Sequence, residues 1–181
     1  MVTDAGPELA TARAVAAAVP DPELPMVTVA DLGILRDVAE DQGHLVVTIT
    51  PTYSGCPALP EIARDLRRRL AASGYAQVTV RTALAPAWSS DWITAEGRRK
   101  LSAAGIAPPH AVPANRGPAN RGPGRLGPIP LTLTETRREP VTCPRCGSAD
   151  TTRTAAFGAT ACKALYRCES CREPFEYVKD I

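Results

Sequence analysis

Four of the six cysteines form two close pairs near the carboxyl end of the chain. Cys143 and Cys146 make one Cys-x2-Cys pair, Cys168 and Cys171 make the other, and 21 residues separate the pairs. Two such tight turns can place four thiolates around one tetrahedral metal ion, at about 2.3 Å from each sulfur when the metal is zinc. Four protein ligands leave no open coordination position, so this spacing predicts a structural metal site rather than a catalytic one.

The metal at this four-cysteine cluster has two chemically reasonable identities. Zn²⁺, one per chain, is the expected ion, and iron in a rubredoxin-type centre or an iron–sulfur cluster is the alternative, because thiolates bind both. A module this short has little apolar core, so the metal would largely determine its folding. Cys162 lies just before the second pair. We interpret it as a packed residue, an alternative ligand or a site of transient metal transfer.

The remaining thiol, Cys56, stands alone far upstream, directly before a predicted helix that opens at Pro57. Unpaired N–H groups at a helix start carry partial positive charge, which would stabilise a thiolate as a nucleophile or a transient metal ligand. An inert, packed cysteine is the competing interpretation. Asp21, Glu23 and Asp31 belong to the same region and could accept hydrogen bonds or bind metal, although such acids in loops commonly act as solvated caps.

The other reactive side chains offer little catalytic chemistry. His44 lies in a predicted strand and His110 in a proline-rich segment, so no Ser-His-Asp or Cys-His arrangement can be argued, and no catalytic residue is predicted. Trp88 and Trp92 are the two tryptophans of a chain with 4% aromatic residues. We predict that they either anchor the last helix in the core or form a docking patch for a partner.

The elements that position these residues follow from hydrophobic periodicity. Apolar residues at helical spacing, with capping signals, predict helices over 7–19, 57–73 and 94–104. Alternating patterns predict a hairpin of strands 34–40 and 44–50 around the turn at 41–43, and a strand over 76–84. This order predicts an α+β fold, a small α/β sandwich whose sheet has three or more strands, followed by a zinc-ribbon-like module with short strands.

A shift in composition separates the two parts. Residues 107–130 contain seven prolines and four glycines and include a direct repeat of Ala-Asn-Arg-Gly-Pro. Such a segment has too few apolar groups to offset its ordering entropy, so it is predicted to be a linker. The predicted division is an α+β domain over 1–107, a linker over 108–134 and a four-cysteine module over 135–181.

Charge and hydropathy exclude several classes of function. The formal net charge of +2 divides into −2 for residues 1–107, +3 for 108–134 and +1 for 135–181, which is too weak a positive field for a dedicated nucleic-acid binder. No apolar run approaches the roughly 18 residues of a membrane span, and no secretion signal is evident at the amino end. We therefore expect a cytoplasmic protein without a membrane partner.

Several motifs together resemble a known family. Asp21–Pro25, Asp31–Leu35 and Thr50–Pro57 are similar to the small α+β domain of iron–sulfur assembly factors, the SufT-like domains. The tail, above all Phe157–Cys168, completes a resemblance to the PaaD (PaaJ) family, whose members are subunits of the multicomponent phenylacetyl-CoA epoxidase. This resemblance covers nearly the whole chain except the linker.

The resemblance implies a role in aerobic phenylacetate degradation. It implies an accessory subunit without catalysis of its own, which helps to assemble or mature the iron or iron–sulfur centres of the epoxidase, with Cys56 as a transient ligand. The implied partners are the other subunits, including the di-iron oxygenase and the Fe–S flavoprotein reductase. Consistent with this, the chain has no pair of Glu-x-x-His motifs and no Gly-rich dinucleotide loop. The alternative is an electron-transfer component with an iron–thiolate centre.

Overall fold

The structure, a computed structural model, describes residues 6–110 and 140–181. The predicted linker, 108–134, lies almost entirely outside these ranges. The helices are α1 (Gly6–Ala17), α2 (Leu59–Ala72) and α3 (Ala95–Ala103), and the strands are β1 (Leu35–Asp41), β2 (His44–Ile49), β3 (Val78–Thr82), β4 (Ile106–Ala107), β5 (Thr151–Ala155), β6 (Lys163–Cys168) and β7 (Pro174–Val178). The mixed α+β class is confirmed. None of the described helices is long and apolar enough to cross a membrane.

The first sheet has the order β1-β2-β3, with β1 antiparallel and β3 parallel to β2. The predicted hairpin is present, and its turn uses positive φ at both Gln42 and Gly43, as a tight two-residue connection requires. Helix α1 contacts β1 and α2, and α2 contacts β3, so both helices pack on one face of the sheet. Buried Leu66 and Leu70 of α2 join Val47 of β2 in this first core.

The second sheet has the order β4-β7-β6-β5 and extends across both parts of the chain. The two-residue strand β4 follows α3 and pairs in parallel with β7, joining Ala107 to Tyr177 in register. Successive strand residues face opposite sides, so Ile106 and Val178 pack into the first core while Ala107 and Tyr177 pack into a second, smaller core around the ribbon. Strands β4 and β7 therefore form a wall shared by the two cores.

Polar contacts fix the ribbon against the first domain. The backbone N–H of Ser90 donates to the carbonyl of Ile181 at 3.0 Å, and the backbone N–H of Ile181 donates to Ser90 Oγ at 3.4 Å. The backbone N–H of His110 donates to Asp180 Oδ1 at 2.9 Å, and its ring lies 3.2 Å from the Tyr177 hydroxyl. These contacts hold the residues after β7 beside two segments of the first domain, the one that precedes α3 and the one that follows β4.

Candidate functional site

The four-cysteine cluster is present as predicted. The sulfur atoms of Cys143, Cys146, Cys168 and Cys171 all lie within 4.8 Å of one another. Cys143 Sγ is 3.8 Å from Cys171 Sγ, and Cys146 Sγ is 3.5 Å from Cys168 Sγ. A tetrahedral zinc ion with sulfur ligands at about 2.3 Å requires sulfur–sulfur separations of about 3.8 Å. The four thiols therefore fit a metal ion that would hold the two turns together.

Local backbone contacts shape both turns of the cluster. The N–H of Gly147 donates to the Cys143 carbonyl at 2.9 Å, and the positive φ of Gly147 lets the chain turn away from the cluster. In the second turn, the N–H of Cys171 lies 3.5 Å from Cys168 Sγ. This backbone donor, helped by the neighbouring thiols, lowers the pKa of Cys168 to about 7. The thiolate form that metal binding needs is thus favoured at Cys168. The pKa values of Cys146 and Cys171 are raised instead: their backbone N–H donors favour the thiolate, but their thiols share hydrogen bonds with Cys168.

A second site is the cleft between the first domain and the ribbon. The first domain contributes the loop that carries Asp21, the loop that carries Cys56, and the indole of Trp88. The ribbon contributes Cys162 and its neighbours. The full lining consists of Asp21, Glu23, Leu24, Leu32, Ile34, Thr52, Tyr53, Cys56, Pro57, Ala58, Trp88, Thr160, Cys162, Lys163 and Val178. The cleft therefore brings together two thiols that are far apart in sequence.

Cys56 is half-buried at one wall of the cleft. Its backbone N–H donates to the Tyr53 carbonyl at 3.1 Å, which places the thiol just ahead of α2, and α2 begins at Leu59 rather than at the predicted residue 57. Burial raises the pKa of Cys56, although the N–H of Ala58 favours the thiolate. The backbone donor at the helix start acts in the predicted direction, but desolvation outweighs it, so the pKa of Cys56 is raised rather than lowered.

Cys162 lies in the loop between β5 and β6, on the ribbon side of the cleft. Its sulfur is 3.1 Å from the Thr160 hydroxyl, and its carbonyl accepts a hydrogen bond from the N–H of Lys179 at 2.9 Å. It is not part of the four-cysteine cluster. A charge on the Cys162 thiol adds to the rise in the pKa of Cys56, so the two side chains interact across the cleft.

Charged side chains occupy one end of the cleft. Asp21 is buried, and its Oδ1 accepts hydrogen bonds from the N–H groups of Glu23 and Leu24 at 2.8 and 2.9 Å. Burial nevertheless raises the pKa of Asp21. Lys163 is also buried, and its Nζ lies 2.9 Å from Glu176 Oε2. The exposed Glu23 side chain stands at the rim, so the cleft carries both signs of charge beside its thiols.

Asp31 has a different position and does not line the cleft. It lies 2.7 Å from Lys100 Nζ of α3 and accepts a hydrogen bond from the N–H of Thr28 at 2.9 Å. Burial alone would raise the pKa of Asp31, but Lys100 and the Thr28 N–H lower it below the ordinary value. Gly97 approaches this loop so closely that an added Cβ would lie 2.7 Å from the Asp31 carbonyl oxygen. Asp31 therefore joins the loop to α3.

The two tryptophans also differ. Trp88 is 4% exposed, its Nε1 donates to the Leu32 carbonyl at 2.9 Å, and its ring lines the cleft. Trp92 is half-buried, with the Arg36 guanidinium 3.5 Å from its ring centroid, and it does not line the cleft. Trp88 thus packs in the core and shapes the cleft at the same time.

Sequence reasoning missed four polar residues of the cleft. Thr52 and Tyr53 stand in the same loop as Cys56, and Thr160 and Lys163 lie within two residues of Cys162. Thr52 Oγ1 is shielded from solvent beside the Cys56 thiol, and it has no hydrogen-bond partner of ordinary geometry in the part of the chain that the structure describes. The sequence signal for these residues was their adjacency to the two cysteines.

Comparison with protein families shows the class of protein to which the chain belongs. Residues 10–81 match the family model described as iron-sulfur cluster assembly protein, and residues 128–179 match the one described as PaaD zinc beta ribbon domain. The chain is therefore a two-part protein that joins an iron–sulfur-assembly-type domain to a zinc ribbon. The sequence prediction of these two modules is confirmed.

Individual relatives identify the family within this class of proteins. The chain is 40% identical over 183 residues to a putative 1,2-phenylacetyl-CoA epoxidase subunit of Escherichia coli (strain K12), covering 100% of this chain and 98% of that protein. It belongs to this family of epoxidase subunits, the PaaD family. An "Fe-S protein maturation auxiliary factor" of Porphyromonas gingivalis is 36% identical over 84 residues, which are 45% of this chain and 78% of that one. A DUF59 domain from Bacillus anthracis, solved by crystallography, has 29% identity and a TM-score of 0.48, covering 51% of this chain and 90% of that one.

Proposed function

We propose that this chain is a non-catalytic subunit of the multicomponent phenylacetyl-CoA epoxidase, and that it assembles or matures the iron or iron–sulfur centres of that complex. One observation carries the proposal: the iron–sulfur-assembly-type domain presents Cys56 in a cleft, beside a buried carboxylate and without a histidine among its lining residues. Thiolates bind iron well, whereas acid–base catalysis at neutral pH commonly uses histidine. The names of the E. coli and P. gingivalis relatives support both parts of this function.

The two cysteine sites have separate roles in this proposal. The four-cysteine cluster holds one Zn²⁺, which keeps the ribbon folded and supplies no catalysis, because four thiolates fill a tetrahedral ion. Cys56 is a transient ligand for iron cargo, and Asp21, Glu23 and Trp88 support the cleft. Asp31 and Trp92 support the loops near α3. The ribbon acts as the docking element.

The partners are the other subunits of the epoxidase, in particular the di-iron oxygenase that receives iron and the Fe–S flavoprotein reductase. The membrane is not a partner in this proposal, and neither is nucleic acid. The nearly balanced charge supports a protein partner, because nucleic-acid binding requires a concentrated positive surface.

Cys56→Ala tests the maturation role in cells that produce the whole complex. We expect the oxygenase and reductase to be made in normal amounts but to contain less iron and to have lower epoxidase activity. Ser54→Ala is the matched control, because Ser54 is an exposed residue of the same loop and does not line the cleft. Normal iron content of both partners with Cys56→Ala would contradict the proposal.

A second function, electron transfer, is compatible with the four-cysteine cluster, because its sulfur separations suit an iron ion as well as zinc. Visible absorption of the anaerobically isolated protein separates the two functions. Iron–thiolate absorbs visible light and zinc–thiolate does not. Strong absorption that disappears in Cys143→Ser but persists in Cys56→Ala would support electron transfer over maturation.

A further inference from the structure

Two thiols from different parts of the chain face the same cleft. Cys56 precedes α2 in the first domain, and Cys162 precedes β6 in the ribbon. Neither belongs to the four-cysteine cluster, and both are free and half-buried. Both line this cleft, where burial, together with a charge on Cys162, raises the pKa of Cys56. A pair of free thiols that line one cleft from two parts of the chain differs from a single packed cysteine.

Backbone contacts hold the loop of Cys162 in this position. The N–H of Gly158 donates to the Lys163 carbonyl at 2.9 Å, and the N–H of Lys163 donates to the Thr160 carbonyl at 3.2 Å. Lys179, which directly follows strand β7, donates through its N–H to the Cys162 carbonyl and through its Nζ to the Ala161 carbonyl at 2.7 Å. The loop is therefore ordered by the ribbon and presented to the first domain.

The rest of the cleft suits a cation held by thiolates. Its walls include the apolar side chains of Leu32, Trp88 and Val178, which limit the access of water. Desolvation makes an unpaired thiolate costly, and a bound cation removes that cost by neutralising the charge. Thr52 Oγ1 and the Asp21 carboxylate add oxygen atoms to the same space. Two thiols are fewer than the four that close the ribbon cluster, so a metal bound here keeps open positions for an acceptor.

We propose that Cys56 and Cys162 form one composite dithiol site for a thiophilic iron cargo, either an iron ion or an iron–sulfur cluster. Each thiol loses its proton when it binds the metal. The site is complete only while the ribbon is docked on the first domain, because each part supplies one ligand. The identity of the cargo rests on the proposed maturation function, whereas the pairing of the two thiols does not.

Phenylarsine oxide tests the pairing with the full-length protein whose ribbon is loaded with zinc. This arsenical binds tightly to two neighbouring thiols: two As–S bonds replace the As–O bond, and the two thiol protons leave with the oxygen as water. We expect the wild type to bind one equivalent of phenylarsine oxide tightly per chain. This binding should be lost in both Cys56→Ala and Cys162→Ser. Ser54→Ala should retain it. The Cys56→Ala/Cys162→Ser double variant gives the baseline for reaction at the ribbon, and zinc release is followed in parallel.

Controls on the variants distinguish loss of a thiol from loss of the ribbon fold. Cys162→Ser retains a group that can hydrogen bond to Thr160, and unchanged zinc content together with unchanged circular dichroism shows that the ribbon is folded. Tight binding of phenylarsine oxide by either single variant, above the level of the double variant, would overturn the pairing. If pairing fails but Cys56→Ala still lowers the iron content of the epoxidase, the maturation function stands with one thiol. If pairing holds and iron content is normal, the maturation function fails and the dithiol site stands.

Discussion

The four-cysteine cluster and the cleft both present thiols, but they are built in opposite ways. The cluster takes its ligands from two turns of one module, and local hydrogen bonds of Gly147 and Cys171 shape those turns. The cleft takes Cys56 from one part of the chain and Cys162 from another. A closed shell of four thiolates retains its metal, whereas a two-thiol site with open positions can release it. The proposed function therefore assigns a resident metal to the ribbon and a transferable one to the cleft.

Cys143→Ser should produce the largest effect, since it removes a buried thiolate from the cluster. Structural zinc binding contributes about 10–16 kcal/mol in zinc-finger peptides, so loss of one ligand should unfold the ribbon. Limited proteolysis should then cleave within 140–181 while leaving fragments of the first domain. Cys162→Ser is the control and should remain resistant. Unchanged protease resistance of Cys143→Ser would show that the ribbon does not depend on its metal.

Leu66→Ala should weaken the first domain without affecting the ribbon metal. Leu66 is fully buried in the first core, so its truncation leaves a cavity and should lower the free energy of unfolding by about 2–5 kcal/mol. Urea unfolding measures this loss, and elemental analysis measures the metal. The exposed Arg68→Ala on the same helix should change stability by less than about 0.5 kcal/mol. Loss of metal in Leu66→Ala would contradict the separation of the two cores.

Gly33→Ala should distort the first-domain wall of the cleft. Gly33 has φ of +67° and lies between Leu32 and Ile34, which line the cleft, and an added Cβ would lie 2.5 Å from Trp92 Cβ. Gly105 has φ of +79°, but its added Cβ would meet nothing within 4 Å. Overpacking should therefore make Gly33→Ala about 1–3 kcal/mol more destabilising than Gly105→Ala. Equal thermal unfolding midpoints of Gly33→Ala and Gly105→Ala would show that this wall moves to accommodate the added methyl group.

The pH dependence of Cys56 should show the smallest effect. Its pKa is raised in the folded protein, so alkylation by iodoacetamide at pH 8 should be slower than in the urea-unfolded chain. The protonated thiol is favoured by folding, so its contribution to stability is full below the unfolded pKa and is lost as pH rises through the folded pKa. The rate is measured across a range of pH in Cys162→Ser, with the Cys56→Ala/Cys162→Ser double variant as background. If the alkylation rate of the folded protein rises with a pH midpoint below that of the unfolded chain, the helix start does stabilise the Cys56 thiolate.

Local signals in the sequence predicted most of the elements. The turn at Gln42 and Gly43 determines the hairpin, and Thr94 caps α3 by accepting a hydrogen bond from the N–H of Gly97 at 2.9 Å. The spacing of the four cluster cysteines was equally informative, because their geometry is set within one module. Each of these features depends on residues close in sequence.

Features that depend on tertiary docking could not be predicted in the same way. Strand β4 has two residues, too few for an alternating pattern, and it exists because β7 pairs with it from the other end of the chain. The placement of Cys162 beside the cleft of Cys56 requires that pairing as well. The raised pKa of Cys56 depends on burial in the folded protein, which outweighs the Ala58 N–H group at the helix start.

The most direct test of separate resident and transfer sites is the zinc and iron content per chain of anaerobically purified wild type, Cys56→Ala and Cys143→Ser. We expect one zinc per chain that is unchanged in Cys56→Ala and lost in Cys143→Ser, with any iron depending on Cys56. Stoichiometric iron that survives Cys56→Ala and is lost in Cys143→Ser would contradict this expectation and would assign the ribbon to electron transfer.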